Sequence, residues 1–151
     1  MLTKTHSILV VDDEPANLRM FERLLRQRFR VLSASNGNDA LAILRREKVS
    51  LLISDHRMPG MTGVELLRRS MEIDPDMIRM IVTADHGIDT FISALKEGGA
   101  IRVIPKPWDP DHLMQSVLFA LEKHEVVVAN RQAIDRLKQA SHLLEQVSKR
   151  T

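Results

Sequence analysis

Cysteine is absent from the 151 residues, which excludes disulfides and thiolate metal sites and fits a reducing, cytoplasmic setting. Tyrosine is absent too; four phenylalanines and one tryptophan supply all the aromatic rings. No apolar run approaches the length of a membrane span, and the opening "MLTKTHSILVVDDE" lacks the shape of a signal peptide. A strong charge of one sign is also missing. The net charge is +2, with 16 Lys and Arg against 17 Asp and Glu in residues 1–122 and 6 against 3 in residues 123–151. The basic excess lies in the tail and is too small for a nucleic-acid footprint. Neither GxGxxG nor GxxxxGK[ST] follows the first apolar run, which argues against a nucleotide-binding module. The six histidines show no HxxxH spacing and read as structural or solvent-facing.

What is present is a hydrophobic content of 44% beside 28% charged residues, ordinary for one globular domain. Short continuous apolar runs occur at Ile8–Val11, Val31–Ala34, Leu51–Ser54, Met80–Thr83 and Ile101–Ile104. Continuous rather than alternating apolar character predicts strands covered on both faces, as in a parallel sheet. Helical stripes lie between them: Leu18, Phe21 and Leu25; Leu41 and Leu44; Leu113, Val117 and Leu121. The clearest is Ile88, Phe91, Ile92 and Leu95, at i, i+3, i+4 and i+7, which predicts a helix burying that face. Pro15 suits a first helical turn. Asn36-Gly37 and Gly98-Gly99 read as turns, and Asp109-Pro110 opens a last helix. Five βα repeats predict a doubly wound sheet with helices on both faces.

Beyond residue 122 the last helix is expected to continue. Val126, Asn130, Ala133, Leu137, Ala140, Leu144 and Val147 alternate spacings of four and three, a heptad seam with Asn130, Leu137 and Leu144 at its a positions. Two readings follow: a dimerising parallel coiled coil, or a helix folded back onto its own domain. Ile134 and Leu143 widen the stripe beyond a strict seam.

In open parallel sheets ligands bind beyond the carboxyl ends of the strands. The first predicted strand ends in Asp12, Asp13 and Glu14, the third in Asp55, the fourth in Thr83 and Ala84, and the fifth is followed by Lys106. Clustered carboxylates repel one another unless a cation joins them, and an all-oxygen set suits a hard divalent ion such as Mg2+. Such a site permits Asp55 to attack phosphorus and form an aspartyl phosphate, with Lys106 neutralising charge. Thr83 stands ready to hydrogen-bond the phosphoryl group, and Ala84 leaves room for it. For Asp12 and Asp13 taken alone, an N-cap for the helix from Pro15 is the rival reading.

The blocks "VVDDEP", "ISDHRMPGMTG", "IVTAD" and "IPKPW" resemble the signatures of the response-regulator receiver domain of two-component signalling, over residues 7 to about 122. The resemblance implies a flavodoxin-like strand order 2-1-3-4-5 and a signalling role. It implies no activity beyond the chain's own Mg2+-dependent phosphorylation and dephosphorylation. It implies Asp55 as phosphoacceptor, and Asp12, Asp13, Asp55 and the backbone carbonyl of Arg57 as Mg2+ ligands. Thr83 becomes the switch hydroxyl, Lys106 the phosphate partner, and a cis peptide is expected at Lys106-Pro107. A histidine kinase or phosphotransfer protein becomes the donor. The expected division is a receiver at 1–122 and a helical extension at 123–151, serving as a dimerisation helix or the start of a linker.

One position departs from the family. An aromatic commonly stands three residues before the lysine, where this chain has Val103. A β-branched side chain has no ring to swing, so signalling is expected to rely on Thr83, the loop from Ala84 to Ile88, and the final helix. Arg57 and Asp85, each two residues beyond a site residue, are expected to pair and shield the phosphoryl group from water. An aspartyl-nucleophile phosphatase is the remote alternative; it wants an acid two residues after the nucleophile, where Arg57 stands. "GGAIRVIPKPWDPDHL" is similar to receivers joined to HD-type cyclic-dinucleotide phosphodiesterases or hydrogenase-type transcriptional activators. The chain is therefore either a stand-alone receiver or the regulatory front of such a protein.

Overall fold

The computed structural model describes residues 6–150. Five strands, β1 (Ser7–Val11), β2 (Arg30–Ala34), β3 (Leu51–Asp55), β4 (Ile78–Thr83) and β5 (Arg102–Pro105), alternate with five helices: α1 (Pro15–Leu25), α2 (Gly37–Arg46), α3 (Gly63–Ile73), α4 (Ile88–Lys96) and α5 (Pro110–Arg150). The strands form one parallel sheet in the order β2-β1-β3-β4-β5, as the resemblance implies. Strand side chains alternate between its two faces. Leu9, Val11, Leu52 and Ile81 pack in one core with Leu41, Leu44, Leu67 and Ala94. Ile8, Val10, Leu51, Ile53, Met80 and Val82 pack in the other with Phe21, Leu25, Leu113, Val117 and Leu121. Burying each such aliphatic chain is worth about 1.5–3 kcal/mol, and each face needs its own helices to do so.

The helix ends follow local chemistry. Asn36 is not a turn residue but the N-cap of α2, its side chain accepting from the Asp39 N–H at 2.8 Å. Thr62 caps α3 in the same way. Asp109 accepts the His112 N–H at 2.9 Å where α5 begins. Trp108 packs on Phe21 with ring centroids 5.2 Å apart.

Two further expectations change. The α4 stripe does not face the sheet: Ile88 is 73% exposed and Phe91 48%, with Ile92 and Leu95 also exposed, and Ala94 alone in the helix is buried. Periodicity identifies residues that share a face but not the side on which the sheet lies; here the small Ala94 lets α4 approach while the large chains turn outward. The folded-back reading of the tail also fails. α5 is one helix to Arg150, and residues 129–150 are exposed throughout. Its root is fixed by Arg131, whose guanidinium makes two bonds to Asp76 at 2.6 and 2.7 Å, and by Glu125, 3.1 Å from His6. Among the described residues no helix is long and apolar enough to cross a membrane.

Candidate functional site

Parallel register carries the strand ends to one edge. Val11 lies beside Ser54, Asp55 beside Val82, and Thr83 beside Pro105. The chain leaving β1, β3 and β5 therefore delivers Asp12, Asp55 and Lys106 to a common point. Asp12 is 1% exposed. Its Oδ1 accepts the Glu14 N–H at 2.9 Å and its Oδ2 accepts from the Asn17 amide at 3.1 Å. It thus tidies the entry to α1, yet the N-cap itself is Glu14, with no side-chain cap bond. Carboxylate oxygens of Asp12, Asp13 and Asp55 all lie within 4.8 Å of one another.

Lys106 closes the group. Its Nζ is 3.0 Å from Asp12 Oδ2 and 3.4 Å from Asp55 Oδ1. The Lys106-Pro107 peptide is cis. Burial pushes the Asp55 carboxyl above its ordinary pKa; the Lys106 charge opposes this and the Asp12 charge adds to it. For Lys106 burial acts downward, but the hydrogen bond and charge of Asp12, with the charge of Asp55, outweigh it and the pKa is raised. Two or three carboxylates around one ammonium leave negative charge in excess, and the donors are all oxygen. That set fits a hard divalent cation that keeps several waters.

The loop after Asp55 is shaped by glycine. Gly60 has φ +81°, and a Cβ at Gly63 would run into the Asp55 carbonyl oxygen and the His56 Cα. With no Cβ there, the Gly63 N–H reaches the His56 carbonyl at 2.8 Å and draws the start of α3 against the end of β3. The His56 N–H donates to Asp55 Oδ1 at 2.9 Å.

Across the mouth, Arg57 Nη2 is 2.8 Å from Asp85 Oδ2. The Gly87 N–H, the Thr90 hydroxyl and Arg57 together hold the Asp85 carboxyl down at about 2. Thr83 is buried, Ala84 is exposed, and Thr83 Oγ1 accepts the Asp85 N–H at 3.0 Å. Val103 packs partly against the core and borders a cleft with Thr83, Phe91 and Pro105. Asn130, Leu137 and Leu144 lie far along α5, all exposed, and do not join this group.

The sequence reading missed Asn17 and Thr90. Each sits in the first turn of the helix that follows a site strand, and a helix turning back over its own strand brings that turn to the strand's end. The buried Arg79 on β4 and the Asp76–Arg131 pair carried no sequence signal, since both depend on the α3–β4 loop.

The sequence pattern of the response regulator receiver domain matches residues 8–118. The hydrogenase transcriptional regulatory protein HoxA of Cupriavidus necator is 39% identical over 122 residues, 81% of this chain and 25% of that protein. The chain thus spans about a quarter of the length of such relatives. The sporulation initiation phosphotransferase F of Bacillus subtilis is 34% identical over 111 residues, 73% of this chain and 89% of that one. The signal receiver domain of an HD domain-containing protein from Pseudomonas fluorescens superposes with a TM-score of 0.78 at 30% identity, covering 80% of this chain and 98% of that structure. On the matched pattern, the shared fold and these relatives, the chain belongs to the response regulator receiver domain family.

Proposed function

We propose that this receiver accepts a phosphoryl group on Asp55 from the phosphohistidine of a histidine kinase or phosphotransfer protein. The observation that carries the reading is the meeting of Asp12, Asp13, Asp55 and Lys106 at one strand edge. An Asp55 carboxylate oxygen attacks phosphorus, the new P–O bond forms as the P–N bond breaks, and the imidazole leaves. Asp12, Asp13, Asp55 and the Arg57 backbone carbonyl would hold Mg2+, which would supply positive charge to offset that of the phosphoryl group. Lys106 binds one phosphoryl oxygen, the Thr83 hydroxyl donates to another, and Ala84 gives them room. The same residues permit water to remove the group later, so the chain catalyses its own phosphorylation and dephosphorylation. Incubation with Mg2+ and acetyl phosphate should add one phosphate; chelation of the metal should abolish the addition, and incorporation that survives chelation would refute the metal's part.

Arg57 and Asp85 shield the phosphoryl group in this account. Their value is steric, because an exposed ion pair contributes little energy. Arg57→Ala should shorten the lifetime of the aspartyl phosphate, followed by loss of radiolabel; an unchanged lifetime removes the shielding role.

Residues 1–122 act as the receiver and 123–151 as a helical extension that pairs with a second copy. Leu137 and Leu144 are 70% and 71% exposed, and Asn130 shares their heptad position. Light scattering should give twice the chain mass for the full chain and the single-chain mass for a Leu137→Asp, Leu144→Asp variant. A monomeric parent would end the dimer reading. The similarity to HoxA, named a transcriptional regulatory protein, and to a receiver from an HD domain-containing protein favours a cytoplasmic role ahead of an output of one of those classes.

A further inference from the structure

One side chain gathers the connection between β4 and α4. Asp85 accepts from the Gly87 N–H at Oδ1 (2.9 Å) and from the Thr90 hydroxyl and Arg57 at Oδ2 (2.9 and 2.8 Å). Its own N–H donates to Thr83 Oγ1 at 3.0 Å. Gly87 is the N-cap of α4 and Thr90 lies in its first turn, so these bonds tie the start of α4 both to the end of β4 and to the loop after β3. Next to the knot is a cleft of about 270 Å³ bordered by Thr83, His86, Phe91, Val103 and Pro105. Val103 is too small to fill it. Phe91, on α4, stands at the rim with 48% of its surface in water, an unfavourable place for a ring beside unfilled apolar space.

We propose that Phe91 is the aromatic that closes this cleft when Asp55 is phosphorylated, and that Asp85 is the latch holding it out beforehand. The proposal rests on the acceptor reading of Asp55. The Thr83 hydroxyl now serves as acceptor for the Asp85 N–H. Turning that hydroxyl toward a phosphoryl oxygen withdraws it and frees the loop from the end of β4. The first turn of α4 then shifts, and the ring, one residue beyond Thr90, moves in against Val103 and Pro105. The aromatic that this chain lacks on β5 is thereby supplied from α4. The exposed Ile88 and Ile92 travel with the same helix, so the face offered to partners changes in the same step.

Fluorine NMR of the chain carrying 4-fluorophenylalanine tests this, using Mg2+ and fluoroberyllate as the phosphoryl mimic. The four phenylalanine signals are assigned by single Phe→Leu replacements, and bound fluoroberyllate gives fluorine signals of its own. The expected result is that the H2O-to-D2O shift of the Phe91 signal falls toward the values of the buried Phe21 and Phe29, while Phe119 on α5 keeps its shift. Asp85→Ala should lower the Phe91 shift before any mimic is added. Val103→Phe, which fills the cleft, should keep Phe91 hydrated with the mimic bound. Bound fluoroberyllate with an unchanged Phe91 signal overturns the proposal and spares the acceptor site. Absence of bound fluoroberyllate in the presence of Mg2+ overturns the acceptor reading and the proposal with it.

Discussion

Lys106→Met should tighten Mg2+ binding and slow phosphoryl acceptance at once. Lys106 Nζ lies 3.0 Å from Asp12 and 3.4 Å from Asp55, where a divalent cation must share those carboxylates with it. Removing one unit charge at such range relieves at least about 1.4 kcal/mol of repulsion, about tenfold in affinity. In the proposed transfer the same ammonium binds a phosphoryl oxygen, and loss of one preorganised donor costs about 100-fold or more in rate. Trp108, two residues away, gives the fluorescence signal for the metal titration, and phosphate incorporation gives the rate. The pH dependence has a definite sign. Burial already raises the Asp55 carboxyl and Lys106 opposes it, so the variant's Asp55 rises further and binds a proton at a higher pH. Protons compete with Mg2+; the variant's advantage is therefore largest in alkaline buffer and shrinks as the pH falls. Weaker Mg2+ binding in the variant at alkaline pH would mean that Lys106 helps to build the metal site.

Arg79→Ala should lower stability by about 2–4 kcal/mol. Arg79 is 5% exposed on β4. Its Nε donates to Ser70 Oγ at 2.7 Å, and its terminal nitrogens donate to the carbonyls of Met77 and Asp74. Alanine would leave Ser70 Oγ and the Met77 carbonyl buried, and the Asp74 carbonyl half-buried, without that donor, and open a space between β4 and α3. The drop should appear as a fall in Tm of roughly 10 °C. Arg79→Lys recovers little, because one ammonium cannot reproduce the fork of the guanidinium. Arg131→Ala removes the exposed pair to Asp76 and should move Tm far less, although it frees the root of the tail. Similar losses for Arg79→Ala and Arg131→Ala would show that the α3–β4 loop is not organised from inside.

The acceptor edge was legible in the sequence because each component sits at the end of its own short apolar run. "VVDD", "ISD", "IVT" and "IPK" need no tertiary knowledge beyond a parallel sheet to be brought together. The strand order, by contrast, came from resemblance, since periodicity carries no information about which strands pair. The α4 stripe misled for a definite reason. Its spacing is as regular as that of a buried helix, but the side turned to the sheet is decided by Ala94, whose smallness carries little weight in a hydrophobic count. Asn17, Thr90 and Arg79 were invisible because each bonds a residue five positions back, a contact that exists only once the backbone between them has turned. Asn130, Leu137 and Leu144 fell between: their spacing gives a seam, and the structure leaves it uncovered.

The central claim is that Asp55 receives the phosphoryl group. Intact-mass spectrometry after incubation with Mg2+ and acetyl phosphate, followed by borohydride reduction and peptide mapping, tests it most directly. The account predicts one added phosphate, homoserine at position 55 after reduction, and no addition in Asp55→Asn. A phosphate that persists in Asp55→Asn, or that maps to Asp12 or Asp13, would contradict it.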